Sequence, residues 1–370
     1  MVGVDAREAA GPRRGQRAGA AGRARYVAEL VSRLPALDPA ARFVLYTDAS
    51  AAAPPPAPAN ATRRELRGAG LPWHVRAARA ARRECTLYLS TTTYVTPQLL
   101  PRYVQTVYDV IAFKEVARPQ ARAARIERAT MRRAVRRAAR ILAISEATAA
   151  DLRELVPEAG DKIVVTPLAA DPRFRTAIPD ETLARVRTRY GLPDSFVLAT
   201  GTIEPRKNLD RLVRAYGALP DELRRGCPLV LAGRRGWDAD PVFAAIAELD
   251  GASVRHLDFV PDEDLPGLYA AATVFCYPSL YEGFGLPVLE AMQSGTPVVT
   301  SNVSSMPEVG GDAVRYVEPH DEASIAASLA DLLSDAAARA ELSRAGVERA
   351  RRFSWEETAR LTMDALRAAV

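Results

Sequence analysis

The chain has 370 residues, 48% of them hydrophobic and 26% charged, a length and composition that predict two or three domains with real cores. No run of 18 apolar residues occurs, which excludes a transmembrane helix from the expectation, and the three cysteines (Cys85, Cys227, Cys276) are too few and too scattered for a disulfide framework or a cysteine metal site. Net charge is +5, but residues 1–170 carry 28 Lys/Arg against 15 Asp/Glu (+13) and residues 171–370 carry 22 against 30 (−8), so the positive excess belongs to the first half.

In chain order, M-V-G-V-D-A-R-E reads as a first strand and lacks the basic-then-apolar pattern of an export signal. With the reduced cysteines this predicts a cytoplasmic protein. Apolar runs at 42–47, 103–110, 140–145 and 162–166 predict further strands, alternating with Ala/Arg-rich helical stretches. Residues 51–61 (A-A-A-P-P-P-A-P-A-N-A) form a proline-rich loop. Asn60-Ala61-Thr62 fits a glycosylation sequon, which counts as chance without export. Arg118, Arg122, Arg125, Arg128, Arg132, Arg136 and Arg140 recur every three or four positions, one stripe of one predicted helix, with Arg133 and Arg137 beside it. Such a face suits an anionic membrane surface, and it equally suits a solvated face in an Arg-rich chain. No aromatic residues interleave with the arginines, so no nucleic acid is expected as a partner. Pro167, Pro172, Pro179 and Pro193 mark a boundary. The expected domains are residues 1–172 and 173–352, with a last helix over 353–370.

The second half alternates strand and helix more cleanly. A strand at 196–200 (F-V-L-A-T) leads into G-T-I-E-P-R-K-N-L-D at 201–210. Asn208 is placed to cap a helix from Leu209 to about Leu219, with Asp210 in its first turn. Arg206 and Lys207 then stand just before a helix N-terminus. Two cations and unpaired amides suit a diphosphate; the alternative is a pair of solvated loop cations. Lys207 is one of three lysines among 50 basic residues, which points to a site that wants a compact ammonium. Strands follow near Leu229 and Val254. Asp238-Ala239-Asp240 and Asp262-Glu263-Asp264 fit a loose metal-holding Asp-x-Asp pattern, but both sit where a helix is about to start, and His74, His256 and His320 are scattered. No metal is expected. A strand at 271–277 then enters Y-P-S-L-Y-E-G-F-G-L-P-V-L-E-A-M-Q-S-G-T-P, whose helix opens at Pro287 and closes at Gly295. Glu282 falls in the loop and Glu290 about one turn into the helix, while Gly283 and Gly285 let the backbone approach a ligand. A carboxylate can hold two neighbouring hydroxyls. The constellation suits hydroxyls at both ends of a molecule and phosphate between them, as in a nucleotide sugar; the plain alternative is a strand-to-helix connector with a chance Glu spacing. Strands near Val298 and Val314 complete an α/β pattern of parallel sheets covered by helices.

These segments, with L-V-L-A-G at 229–233, L-Y-A-A-A at 268–272, S-G-T-P-V-V at 294–299, P-E-V at 307–309 and F-S-W at 353–355, resemble the retaining glycosyltransferases of family four. The resemblance is dense over about residues 195–360 and holds only in outline before that. It implies an α/β GT-B fold: two Rossmann-like domains with parallel sheets facing across a cleft, the last helix returning to the first domain. It implies transfer of a hexose from a nucleoside-diphosphate sugar to a glycan or lipid-linked acceptor, without metal or other cofactor, by same-face attack in which the leaving phosphate takes the acceptor proton. The segments look most like bacterial mannosyltransferases of surface-polysaccharide assembly, which points to GDP-mannose as donor and to a place on the inner face of the cell membrane. By the same resemblance Arg206 and Lys207 hold the donor diphosphate beside Gly201 and Thr202. Glu282 and the amides of Gly283, Phe284, Gly285 and Leu286 meet the transferred sugar and phosphate, and Glu290 takes the ribose hydroxyls. Phe259-Val260-Pro261 is the expected place of base recognition, and a glycine loop over residues 15–22 touches the donor phosphate. One departure stands out. Many members carry His-Asp where this chain has Tyr108-Asp109, its acceptor-side candidates, and tyrosine cannot carry a proton at neutral pH as imidazole does. That leaves open an inactive nucleotide-binding subunit, beside an epimerase or phosphorylase on the same fold.

Overall fold

Seven short strands build the first sheet: β1 Val2–Asp5, β2 Phe43–Asp48, β3 Ala61–Leu66, β4 Leu87–Ser90, β5 Tyr103–Val107, β6 Arg140–Ala143 and β7 Ile163–Val165. Every pairing is parallel and the order is β3-β2-β1-β4-β5-β6-β7; Val4, for instance, lies between Leu45 and Leu89. The computed structural model from which this is read describes residues 1–9, 21–48, 58–114, 121–249 and 253–370. β4 and β5 are buried along their whole length, as strands covered by helices on both faces must be, with Ser90, Gln105 and Thr106 buried among their apolar neighbours. β3 (A-T-R-R-E-L) is the opposite case. It is an edge strand whose exposed charges discourage pairing with another chain.

The second sheet has six strands: β8 Val197–Thr200, β9 Leu229–Ala232, β10 Val254–His256, β11 Val274–Tyr277, β12 Val298–Ser301 and β13 Arg315–Val317. Again all pairings are parallel, in the order β10-β9-β8-β11-β12-β13. The four inner strands β9, β8, β11 and β12 are fully buried, and each large aliphatic side chain so covered stabilises the unit by about 1.5–3 kcal/mol.

The chain divides into two units, Met1–Leu168 with Ser354–Val370, and Ala169–Phe353. Helix Trp355–Arg367 is therefore part of the first unit. Glu356 pairs with Arg33 (3.1 Å), Arg367 with Asp38 (3.3 Å), Thr358 Oγ1 donates to the Pro167 carbonyl, and the Trp355 ring lies 6.5 Å from that of Tyr26. Phe353, one residue before the crossing, stays with the second unit, edge-on to Phe284 at 5.7 Å.

Four readings of the sequence change. The arginine stripe is not one helix: the helix is Ala121–Arg137, Arg140 opens β6, and Arg118 lies outside the described residues. The strand expected to reach Val110 stops at Val107, because Asp109 turns the chain by accepting from the Ile111 amide (2.9 Å). Strands β3 and β4 were absent from the expected set. Asn208 makes no side-chain cap: its backbone is left-handed (φ 59°), and its Nδ2 donates to the carbonyls of Pro278 (3.0 Å) and Pro319 (2.6 Å), tying the loops after β11 and β13 to helix Leu209–Gly217. Asn60 of the sequon is likewise structural, its Nδ2 lying within 3.0 Å of the carbonyls of Pro35, Asp38 and Ala41. Residues 15–20 of the glycine loop lie outside the described residues, and Gly22 belongs to helix Ala21–Leu37.

Candidate active site

In the second sheet, β8 and β11 are neighbours from which the chain winds outward in opposite directions, through β9 and β10 on one side and β12 and β13 on the other. Open α/β sheets bind ligands at the carboxyl ends of the strands flanking such a reversal. The two motif loops leave from these two ends.

After β8, Gly201 adopts φ +119°, where a Cβ would also come within 3.3 Å of Lys207 Cε; Gly233 after β9 packs so tightly that a Cβ would lie 1.9 Å from the Gly201 carbonyl oxygen. Thr202 is half-buried beside this glycine wall. The chain then makes a short turn, Pro205–Lys207, before helix Leu209–Gly217. After β11 comes the loop that carries Glu282 to helix Leu286–Gln293. Gly285 sits immediately before that helix at φ +107°, with Met306 Cε 2.4 Å from where a Cβ would be. The loops are joined by their backbones: the Leu280 amide donates to the Arg206 carbonyl (2.9 Å), and Arg206 Nη1 to the Tyr281 carbonyl (3.0 Å).

Arg206, Lys207 and Glu282 are thereby brought together. Glu282 accepts from Arg206 Nη1 at 2.5 Å through Oε2 and from Lys207 Nζ at 2.7 Å through Oε1, and Glu204 pairs with Arg206 Nη2 at 2.7 Å. Tyr277, the last residue of β11, completes the cluster. Its hydroxyl donates to Glu282 Oε1 (2.8 Å) and accepts from Lys207 Nζ, whose ammonium sits 4.7 Å from the centre of the Tyr277 ring. Burial alone would raise the Glu282 pKa, but Arg206 and Lys207 outweigh it and hold the carboxyl at about 2. Burial and the adjacent Arg206 push the Lys207 ammonium below its ordinary range, with Glu282 opposing them. The Glu282 backbone is fixed as well: its carbonyl accepts from the hydroxyls of Ser304 (2.5 Å) and Ser305 (3.0 Å), and its amide donates to Ser304 Oγ (3.2 Å).

Glu290 lies farther along helix Leu286–Gln293 and does not join that cluster. It is hydrogen-bonded to Tyr269, whose hydroxyl meets Thr200 Oγ1 at 2.8 Å. Burial, reinforced by Asp171 and Asp262 and opposed by the Tyr269 hydrogen bond and by Arg173, pushes its carboxyl up to about 8, which favours the protonated form. Phe284 is buried against Phe353, leaving only its backbone for a ligand, while Gly283 and Leu286 are half-buried. Of the acidic triplets, Asp264 is already committed to Arg189 (2.8 Å), Arg185 and the Tyr190 hydroxyl (2.6 Å). Phe259 is partly exposed, with the Arg234 guanidinium 4.1 Å from its ring centre.

Tyr108 and Asp109 lie in the other unit at the carboxyl end of β5. The Tyr108 ring meets Tyr26 edge-on at 5.5 Å, and its buried hydroxyl has no hydrogen-bond partner among the described residues. Sequence reasoning missed Glu204, Tyr269, Tyr277 and the two serines. Tyr277 closes an apolar run and reads as core; the one available signal was its place at the strand's carboxyl end, beside the loop that carries Glu282.

Two doubly wound parallel sheets, one with a buried cationic doublet at its switch point, define a protein of the GT-B class. Among solved structures, sucrose-phosphate synthase from Thermosynechococcus elongatus matches with a TM-score of 0.79 at 22% identity, covering 99% of this chain and 98% of its own, and HepE from Anabaena, solved in complex with UDP and glucose, with 0.74 at 17% identity, covering 99% of each. The family model described as Glycosyl transferases group 1 matches residues 184–349. The O-antigen chain mannosyltransferase B of Escherichia coli is 40% identical over 272 residues, 73% of this chain and 71% of the relative. The serotype-specific mannosyltransferase WbdA of Escherichia coli is 37% identical over 234 residues, 62% of this chain but only 28% of WbdA. The chain belongs to the glycosyl transferases group 1 family and is a glycosyltransferase.

Proposed function

We propose that this enzyme transfers mannose from GDP-mannose to a hydroxyl of a glycan or lipid-linked glycan, with retention of configuration and without a metal ion. The reading rests on the Arg206–Lys207–Glu282 cluster. In it two cations are matched by Glu204 and Glu282, so the cluster is close to neutral. Entry of a diphosphate exchanges one anion for another on Arg206 and Lys207 and frees the Glu282 carboxylate to accept from sugar hydroxyls. The barrier lies in breaking the bond from the anomeric carbon to the phosphate oxygen. Arg206, Lys207 and the amides at the start of helix Leu286–Gln293 stabilise the charge that gathers on the departing diphosphate, a preorganised field of the kind that commonly contributes most to catalysis. Glu282 orients the sugar. The departing phosphate receives the acceptor proton, so no protein base is needed. Glu290, protonated, both donates to and accepts from the ribose hydroxyls. The names of the sequence relatives support mannose.

The test is an assay of the full chain with GDP-, UDP- and ADP-sugars and mannose-terminated acceptors, following nucleotide release and the product anomer by NMR. A thermal shift runs beside it, since a ligand at about 100 times its Kd adds roughly 2.7 kcal/mol of stability. The expected result is turnover and a rise in Tm with GDP-mannose and an α-linked product. Absence of both for every donor would end this reading.

We further propose that helix Ala121–Arg137 meets an anionic membrane. Arg125, Arg128, Arg132, Arg133, Arg136 and Arg137 are exposed, as are Ile126 and Leu99, and of these arginines Arg136 is paired with Glu158. Among the described residues no helix is long and apolar enough to cross a membrane. Each arginine near anionic lipid is worth about 1 kcal/mol. Cosedimentation with phosphatidylglycerol vesicles should fall about fivefold for each of Arg125, Arg132 and Arg133 replaced by alanine; equal sedimentation with neutral vesicles would contradict the proposal.

A further inference from the structure

The first sheet has its own reversal, between β1 and β4, with β2 and β3 continuing on one side and β5 to β7 on the other. Two residues past β1, at that edge, stands Arg7. The fully buried Asp5 carboxylate accepts from its Nε at 2.9 Å and from its Nη2 at 2.7 Å, and also from Thr92 Oγ1 at 3.3 Å. Thr91 Oγ1 donates to the Asp5 carbonyl (2.6 Å). On its face the guanidinium carbon lies 3.9 Å from the centre of the Trp73 ring, and Trp73 is anchored by Nε1 donating to the Thr47 carbonyl (3.3 Å). Elements from four parts of the chain therefore immobilise one guanidinium. Yet among the described residues no hydrogen bond uses its Nη1, and a fifth of the side chain stays exposed. The Nη1 donors of this fixed guanidinium are thus left for solvent or a ligand.

We propose that Arg7 binds the acceptor, donating from Nη1 to a hydroxyl of an uncharged saccharide; this deepens the transferase reading above and rests on it. The ligand class follows from charge. Asp5 already cancels the guanidinium, and the nearby carboxylate of Glu8 is matched by Arg23 at 3.6 Å. Asp5, fully buried and held by Thr92 as well, stays on the guanidinium, unlike Glu282, which an entering diphosphate displaces; a phosphate would therefore meet a charge already cancelled, whereas a sugar hydroxyl accepts a directional, charge-assisted hydrogen bond. His74, edge-on to Trp73 at 5.5 Å and bonded to Thr96 (2.8 Å), is kept neutral by burial, its pKa pushed down to about 4, and adds no charge.

Arg7→Lys keeps a cation for Asp5 and removes Nη1. Binding of a mannose disaccharide to the full chain, followed by saturation-transfer NMR, should weaken about tenfold in this variant, while the thermal shift caused by GDP-mannose stays as in the wild type; Tm itself falls, because lysine keeps neither the bidentate bond to Asp5 nor the stacking on Trp73. Should the lysine variant unfold, Arg7→Gln combined with Asp5→Asn removes the same donors without stranding a buried charge, and the same loss is expected. Unchanged disaccharide affinity in a folded variant, or a wild-type chain that binds no mannose disaccharide, overturns the proposal. A wild type that binds the disaccharide but shows no shift with GDP-mannose sinks the donor reading and leaves this one standing.

Discussion

The two sheets share one winding pattern and place charged groups at the same kind of edge, but they assemble them differently. In the second unit the groups come from two contiguous segments, one on either side of the switch point, and lie in a buried network walled by glycines. In the first unit, Asp5 with Arg7, Thr47, Trp73 and Thr92 arrive from four separate places. A site made from contiguous segments constrains neighbouring residues together, so it leaves a readable motif. A site collected from scattered positions leaves none.

The sharpest way to break the contrast is to disarm the second unit. Lys207→Ala should lower kcat about 10²- to 10³-fold, the usual cost of removing one preorganised donor to a developing anion, while Arg206 still partners Glu282; steady-state kinetics would show it. Near-normal kcat would remove Lys207 from the chemistry. Gly285→Ala comes next. Its φ of +107° and the approach to Met306 predict a loss of about 1–3 kcal/mol in chemical denaturation, whereas Gly226→Ala, where no atom lies within 4 Å of an added Cβ, should stay within about 0.5 kcal/mol. Tyr277→Phe takes away the hydroxyl between Lys207 and Glu282 but keeps the ring. It should cost about tenfold in kcat with little change in donor KM, the worth of one hydrogen bond to charged groups. A change in KM alone would make the hydroxyl a ground-state contact.

The smallest effect is in pH. Glu290 has a folded pKa near 8 against an ordinary 4.5, so the folded state holds a proton that the unfolded chain releases. Its contribution to stability is full below about 4.5, declines as pH rises through that interval and is gone above about 8. Tm of the wild type should fall over this range, and Glu290→Gln should flatten the slope. Glu282, held near 2, should contribute no slope there.

Much of the architecture was legible because both sheets are parallel and several inner strands, covered on two faces, are largely apolar; F-V-L-A-T and L-V-L-A-G could hardly be anything else, while β4 (L-Y-L-S), just as buried, is too short to stand out. β3 was not, since an edge strand of sequence A-T-R-R-E-L is polar for the reason that makes it an edge. The proximity of Arg206, Lys207 and Glu282 was legible from motif spacing, but the role of Asn208 was not: an asparagine before a helix reads as a cap, and only the tertiary fold puts the Pro278 and Pro319 carbonyls within its reach. Tyr277 was hidden by its own hydrophobicity. Arg7 was hidden by isolation, one more arginine among many.

The measurement closest to the central claim is a crystal structure of the chain with GDP-mannose. Diphosphate oxygens are expected within hydrogen-bonding distance of Arg206 and Lys207, with the Glu282 carboxylate turned from both cations onto the sugar hydroxyls. A diphosphate bound elsewhere, with Glu282 still paired to Arg206 and Lys207, would contradict it.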